Sequence, residues 1–314
     1  MSQPLRVAFF GSPAFAVPVL QRLQAEHEVV LVVTQPDAPA GRGMRVRVPP
    51  VASEARLAGL PLDQPARVRR DGEFADRLRA ARPDVAVTAA YGQILPASLL
   101  SIPGHGFLNA HASLLPQLRG AAPIQWALIL GHHETGITVM ETEAGMDTGP
   151  VRHVLRTAIE PSETAPELSE RLSRLAARAI SEALSMLAEG RLPRTPQDDA
   201  NATYAPLLTK DDGDVRWQDD AADVVNRWRG VRAWPGTRFR HHDRQVRVDL
   251  MELAASEGRQ ASAGDVLSVD ADGVAVACGA GAVRLRTVTP AGRASMPAAD
   301  WARGAHLEEG ERLA

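Results

Sequence analysis

Residues 5–33 read LRVAFFGSPAFAVPVLQRLQAEHEVVLVV, and this stretch decides the fold. An apolar run over residues 5–10 stops at Gly11-Ser12-Pro13, a segment with helical spacing follows to Glu26, and a second apolar run covers residues 28–33. Strand, crossover helix and strand of these lengths make two parallel strands of one sheet. FADRLRAARP, DVAVTAA, GFLNAH, PIQWALIL and TGITVMET continue the alternation to residue 142. The expected class is α/β, with a doubly wound, Rossmann-like parallel sheet whose ligands sit at the carboxyl ends of its strands. The first turn has no G-x-G-x-x-G, so dinucleotide binding is a weak reading despite the fold.

Apolar residues recur at helical spacing through residues 164–189, from Leu168 and Leu172 to Leu184 and Leu187, and Gly190 ends the pattern. A first domain over residues 1–190 is expected. Residues 191–208 are rich in proline and polar side chains and lack periodicity, so they read as a linker. Beyond it, RQVRVDLMEL, GDVLSVDADG, VAVACG and VRLRTVTP are short alternating strands divided by glycine and aspartate turns. They predict a small OB-like β-barrel over residues 209–314, closed by a short helix in MPAADWARG.

The chain has 314 residues, 45% of them hydrophobic and 23% charged, with a formal net charge of -3. That balance is ordinary for a soluble two-domain protein and argues against nonspecific coating of nucleic acid. The single cysteine, Cys278, sits in an alternating run and reads as a small buried side chain. One cysteine allows neither a disulfide framework nor a cysteine metal site, which fits a reducing cytoplasm. The N-terminus reads as a first strand, and no stretch has the apolar length of a membrane span. Lys210 is the only lysine, and an arginine bias this general reflects base composition more simply than function. His132-His133 and His241-His242 show no third ligand at metal spacing in the sequence, so no metal is expected.

Residues 107–116, FLNAHASLLP, place Asn109 and His111 two apart on a strand, hence on one face. Alone, each is most simply a turn former or an ordinary surface or core residue. Asp147, in the glycine-bounded loop ETEAGMDTGP, adds a carboxylate, and two adjacent parallel strands would end at the same sheet edge. A carboxylate beside a histidine fixes its tautomer, and an amide N–H pair aimed at the same point stabilises an oxyanion. No serine or cysteine elbow is present, so the set suits direct attack by a substrate nucleophile on a carbonyl.

The run from Gly106 to Pro150, GFLNAHASLLPQLRGAAPIQWALILGHHETGITVMETEAGMDTGP, closely resembles the signature of the folate-dependent formyltransferases. FFGSPAFAVPVL, VTQPDAPAGRG, AYGQILP, WPGT and TPAGRASMPAADWARG extend the resemblance over essentially the whole chain. It implies that Asn109, His111 and Asp147 form a catalytic triad. It further implies 10-formyltetrahydrofolate as formyl donor and initiator methionyl-tRNA as acceptor, in a cytoplasmic, membrane-free enzyme expected to be a monomer. Either His111 or Asp147 could handle the proton. The loop Ser113, Leu114, Leu115 and Pro116 resembles the family's folate-binding loop. Tyr91, Gly92, Gln93, Ile94 and Leu95 would supply another wall of that pocket. Residues 34–50, TQPDAPAGRGMRVRVPP, form a long loop with three arginines, Arg42, Arg45 and Arg47, against Asp37. The resemblance implies that this loop meets the tRNA acceptor end, with Arg42 at the matching Gly-Arg-Gly position, and that the C-terminal barrel also binds tRNA. Two departures stand out. Gln117 and Leu118 replace the usual basic and aromatic residues, and one lysine remains where the family is lysine-rich after the linker. The alternative acceptor is a nucleotide-sugar amine, because enzymes with that substrate share the catalytic motif and the two-domain layout.

Overall fold

The computed structural model describes residues 4–40, 45–255 and 261–314, which form two compact units. The first comprises Met1–Pro123, Glu134–Ala158 and Ser169–Ala205, and the second Ile124–His133, Ile159–Leu168 and Pro206–Ala314.

In chain order, β1 (Arg6–Gly11), α1 (Val17–Glu26) and β2 (Glu28–Val33) form the strand-helix-strand unit expected from the opening sequence. Pro18 lies in the first turn of α1, where its missing N–H has no helical partner to lose. A hairpin of β3 (Ala38–Ala40) and β4 (Arg45–Arg47) follows, then α2 (Pro50–Leu57), β5 (Leu62–Asp63), α3 (Gly72–Ala81) and β6 (Val85–Ala89). Next come α4 (Ala97–Leu100), β7 (Phe107–His111), β8 (Arg119–Gly120), α5 (Pro123–Ile129), β9 (Glu134–Glu141) and β10 (Val151–Ala158). The long helix α6 (Ala165–Ala188) buries Leu168, Leu172, Ala179, Ile180, Ala183 and Leu184 of the stripe its sequence predicts, and leaves Leu175 and Leu187 half-buried. β11 (Tyr204–Ala205) pairs with β8 in a two-stranded ribbon.

The main sheet has seven strands in the order β10-β9-β7-β6-β1-β2-β5. β7, β6, β1, β2 and β5 are parallel. Val7 to Phe10 and Val85 to Val87 are fully buried, as expected for parallel strands covered on both faces. Chain order reverses between β1 and β6, which opens a crevice beyond Gly11 and Ala89. A Cβ on Gly11 would lie 2.8 Å from Ala16 Cβ and 2.9 Å from Ala89 O, so this turn has room only for glycine.

One expectation is corrected. TGITVMET, here β9, runs antiparallel to β7, with His111 opposite Thr138, and β10 is antiparallel to β9. A return crossover must span its strand. Here no such return is made: Ser113 O and Leu115 N, just past the end of β7, bond Thr138 of β9. β9 therefore starts at the edge where β7 ends.

In the second unit, α7 (Ala221–Val231) precedes a six-stranded antiparallel sheet: β12 (Thr237–His241), β13 (Arg244–Ala254), β14 (Val266–Asp270), β15 (Gly273–Ala277), β16 (Ala282–Pro290) and β17 (Met296–Pro297). The paired path β12-β13-β16-β15-β14 is that of an open, OB-like barrel, and α8 (Ala298–Ala305) is the expected closing helix. Trp217, Phe239 and Trp301 stack edge to face in its core at 5.8 and 5.6 Å. Cys278 is buried, and burial pushes its thiol up to about 12, so it is a packing residue as read. A bulge in β13 between Val248 and Leu250 accompanies the inward turn of Asp249, which accepts from Thr289 Oγ1 at 2.5 Å and Ser295 Oγ at 2.6 Å.

The third side chain missing beside His241-His242 in the sequence is supplied by Glu311, whose Oε1 lies 2.8 Å from His241 Nε2 and 3.5 Å from His242 Nε2. Two ligands on one tetrahedral zinc stand about 3.3 Å apart. The shorter contact is a hydrogen bond, and His242 reaches the same oxygen only at ion-pair distance.

Candidate active site

The three predicted catalytic residues converge in the first unit. Asn109 and His111 lie on one face of β7, and Asp147 returns to them in the turn after β9. Asp147 has a left-handed backbone, φ +52°, and Gly149 follows it where a Cβ would sit 1.9 Å from Glu141 O. The turn is tight enough to bring the carboxylate back over the strand, which parallel strand ends do not do here.

His111 is 6% exposed, and its Nδ1 stands 3.7 Å from Asp147 Oδ2. Its Nε2 lies 2.9 Å from Leu118 O. A carbonyl only accepts, so Nε2 carries the hydrogen and Nδ1 is the nitrogen left facing Asp147. Leu118 presents that carbonyl from a left-handed backbone, φ +57°. Asp147 Oδ2 accepts the Gly120 backbone N–H at 2.8 Å. Asn109 Oδ1 accepts the Thr88 hydroxyl at 2.8 Å, which leaves its NH2 as the donating edge. A donor amide, an imidazole nitrogen and a carboxylate thus share the carboxyl edge of β6 and β7. This arrangement can hydrogen-bond a carbonyl oxygen and pass a proton between two nitrogens.

The SLLP segment is pinned to β9. Thr138 Oγ1 donates to Ser113 O at 2.7 Å and accepts from Leu115 N at 3.1 Å, and Ser113 Oγ donates to Gln117 O at 2.6 Å. Ser113 is buried, while Leu114, Leu115 and Pro116 are half-buried and offer an apolar wall. Residues 91–95 divide. Tyr91 and Leu95 are buried in the core with Phe10 and Phe107, and burial raises the Tyr91 hydroxyl. Gln93 accepts from Val68 N at 3.0 Å and donates to Gln35 Oε1 at 3.2 Å. Gly92 and Ile94 are exposed.

Within the arginine segment the described residues Ala38–Ala40 and Arg45–Arg47 pair as two short antiparallel strands. Arg42 lies outside the described residues, as does the side chain of Arg45, and Arg47 is exposed. Asp37, counted against these arginines, is engaged elsewhere: it accepts from Gln64 Nε2 at 2.9 Å and pairs with Arg56 at 3.1 Å. Those two partners hold its carboxyl below the usual carboxylate range.

Thr88, Gly120 and Gln197 escaped the sequence reading. Gln197 sits in the predicted linker, yet its Nε2 donates to Asp147 O at 2.8 Å and Gly149 O at 2.7 Å. Arg119, 2% exposed, donates through Nε and Nη2 to Gln197 Oε1 at 3.0 and 2.8 Å. Nothing local in a glutamine among prolines and aspartates signals such a contact.

This fold and site fit the family found by comparison. Residues 5–184 match the model of the formyl transferase family, and residues 207–306 match its C-terminal domain. The chain belongs to the formyl transferase family. It falls among the methionyl-tRNA formyltransferases: the enzyme of that name from Deinococcus radiodurans is 52% identical over 98% of this chain and 95% of its own. The Thermus thermophilus enzyme is 47% identical, over 98% and 99%. Two solved structures share the fold. HypX from Aquifex aeolicus, in complex with tetrahydrofolic acid, has a TM-score of 0.64 at 17% identity over 99% of this chain and 51% of that one, so this chain spans about half its length. An N-formyltransferase from Helicobacter canadensis, with folinic acid and dTDP-3-aminofucose, has a TM-score of 0.69 at 12% identity, covering 90% and 98%.

Proposed function

We propose that this chain transfers the formyl group of 10-formyltetrahydrofolate to the free α-amino group of methionine esterified to initiator tRNA. The observation that carries the reading is the convergence of Asn109, His111 and Asp147 in a chain 52% identical to a methionyl-tRNA formyltransferase over nearly its whole length. An α-amino group titrates near ~8, so part of the acceptor is neutral at physiological pH and attacks without a strong base. The new C–N bond forms as the amine adds to the formyl carbon, and charge develops on the formyl oxygen. Asn109 donates its NH2 to that oxygen; removing such a donor typically costs about 10²- to 10³-fold in kcat. The bond to N10 then breaks, and the proton lost by the attacking amine passes to N10 through His111 Nδ1 and Asp147. Leu114, Leu115 and the exposed Ile94 flank the pterin, while Arg42, Arg45 and Arg47 meet tRNA phosphates. The reading includes a cytoplasmic monomer. No helix among the described residues is long and apolar enough to cross a membrane.

The test is incubation of the purified chain with formyl-labelled 10-formyltetrahydrofolate and either initiator methionyl-tRNA or an amino-sugar nucleotide. Label on methionyl-tRNA is expected. Label confined to the sugar nucleotide, or released as formate, would reject the reading.

A further inference from the structure

We infer that Gln197 is a positioning residue for formyl transfer, acting through the Asp147 turn; the inference rests on the function proposed above. All four hydrogen-bonding positions of its side-chain amide are used. Nε2 donates to the carbonyls of Asp147 (2.8 Å) and Gly149 (2.7 Å), and Oε1 accepts from Nε (3.0 Å) and Nη2 (2.8 Å) of Arg119. Arg119 is nearly inaccessible and is the residue before Gly120, whose N–H holds Asp147 Oδ2. Asp147 is thereby gripped at both ends by adjacent residues of β8, directly at its carboxylate and through Gln197 at its carbonyl.

That grip has a purpose in the backbone. A non-glycine residue at φ +52° persists where its surroundings over-determine it, and strain of this kind gathers at functional sites. Without the Gln197 donors, two inward carbonyls lose their partners and the turn relaxes, carrying the carboxylate away from His111. Gln197 lies between the two matched family regions, which end at residue 184 and resume at residue 207.

The variants are Gln197→Ala and Gln197→Glu in the full chain. Glutamate keeps the length and the acceptor facing Arg119 but sets an oxygen against two carbonyls, so it separates the clamp from simple pairing with Arg119. Both variants are expected to lower kcat about 10²-fold, as a ~1 Å displacement does, with little change in KM for either substrate. In an Asp147→Asn background neither should lower kcat further. Hydrogen exchange at the Gly120 amide, measured without substrate, should accelerate in both. Wild-type kcat and unchanged Gly120 exchange in Gln197→Glu would overturn the inference, as would losses that multiply with Asp147→Asn. Should Gln197→Ala fail to fold, the near-isosteric Gln197→Glu decides. Should the wild-type chain not formylate methionyl-tRNA, the function fails separately, and Gly120 exchange still decides the clamp.

Discussion

Thr88 and Asn109 face each other across β6 and β7, and the threonine hydroxyl donates to Asn109 Oδ1 at 2.8 Å. The bond chooses one of two amide orientations and turns the NH2 away from β6. Thr88→Val keeps the shape and removes that choice. Its kcat should fall, by less than the ~10²- to 10³-fold expected for Asn109→Ala. Steady-state rates of formyl transfer measure both, and equal rates for Thr88→Val and wild type would show that the amide needs no orientation.

His111 Nε2 is bonded to Leu118 O, so proton transfer is left to Nδ1 and Asp147. His111→Ala and Asp147→Asn should each reduce kcat by about 10²- to 10⁴-fold, the usual scale for a general acid or base. Circular dichroism should show both folded. Near-normal turnover in either would remove that residue from the mechanism.

Arg47 is exposed on β4, and Arg42 is the neighbouring candidate. Arg42→Ala and Arg47→Ala should weaken methionyl-tRNA binding and leave the folate KM unchanged. If each makes one phosphate contact, the slope of log affinity against log salt should shrink by about one per arginine removed. A parallel loss of folate binding would point to the fold.

Asp249 supplies a pH prediction. Burial pushes its carboxyl upward, but the hydroxyls of Ser295 and Thr289 and the charge of Arg247 outweigh burial and bring it below its ordinary value. With the folded value below the unfolded one, its contribution to stability is complete above about pH 4 and is lost as pH falls through the folded value. Asp249→Asn should cost about 1–3 kcal/mol at neutral pH and flatten the acid limb of the stability curve. Chemical denaturation from pH 3 to 7 measures both effects.

The parallel half of the main sheet was legible because strands buried on both faces read as unbroken apolar runs, as β1 and β6 do. The reversed direction of β9 was not, since an apolar alternation carries no sign. Asn109 and His111 were legible from a spacing of two on a strand. Thr88 was hidden because a threonine within DVAVTAA is an ordinary strand residue until its neighbour is known. Gln197 was hidden for a different reason: proline and polar composition marks absence of periodic structure, and an irregular segment can still be fully bonded. Arg119 stood in a motif that resembles the family's, but its partner lay 78 positions away.

The ribbon of β8 and β11 fixes where a working fragment could be cut. A piece ending at residue 190 would contain Asn109, His111 and Asp147 and would lack Gln197, which bonds the Asp147 turn, and Thr203, whose hydroxyl accepts from Leu118 N and whose carbonyl accepts from Arg119 N, both at 2.9 Å. A cut that keeps these bonds and the whole of β11 lies no earlier than Ala205.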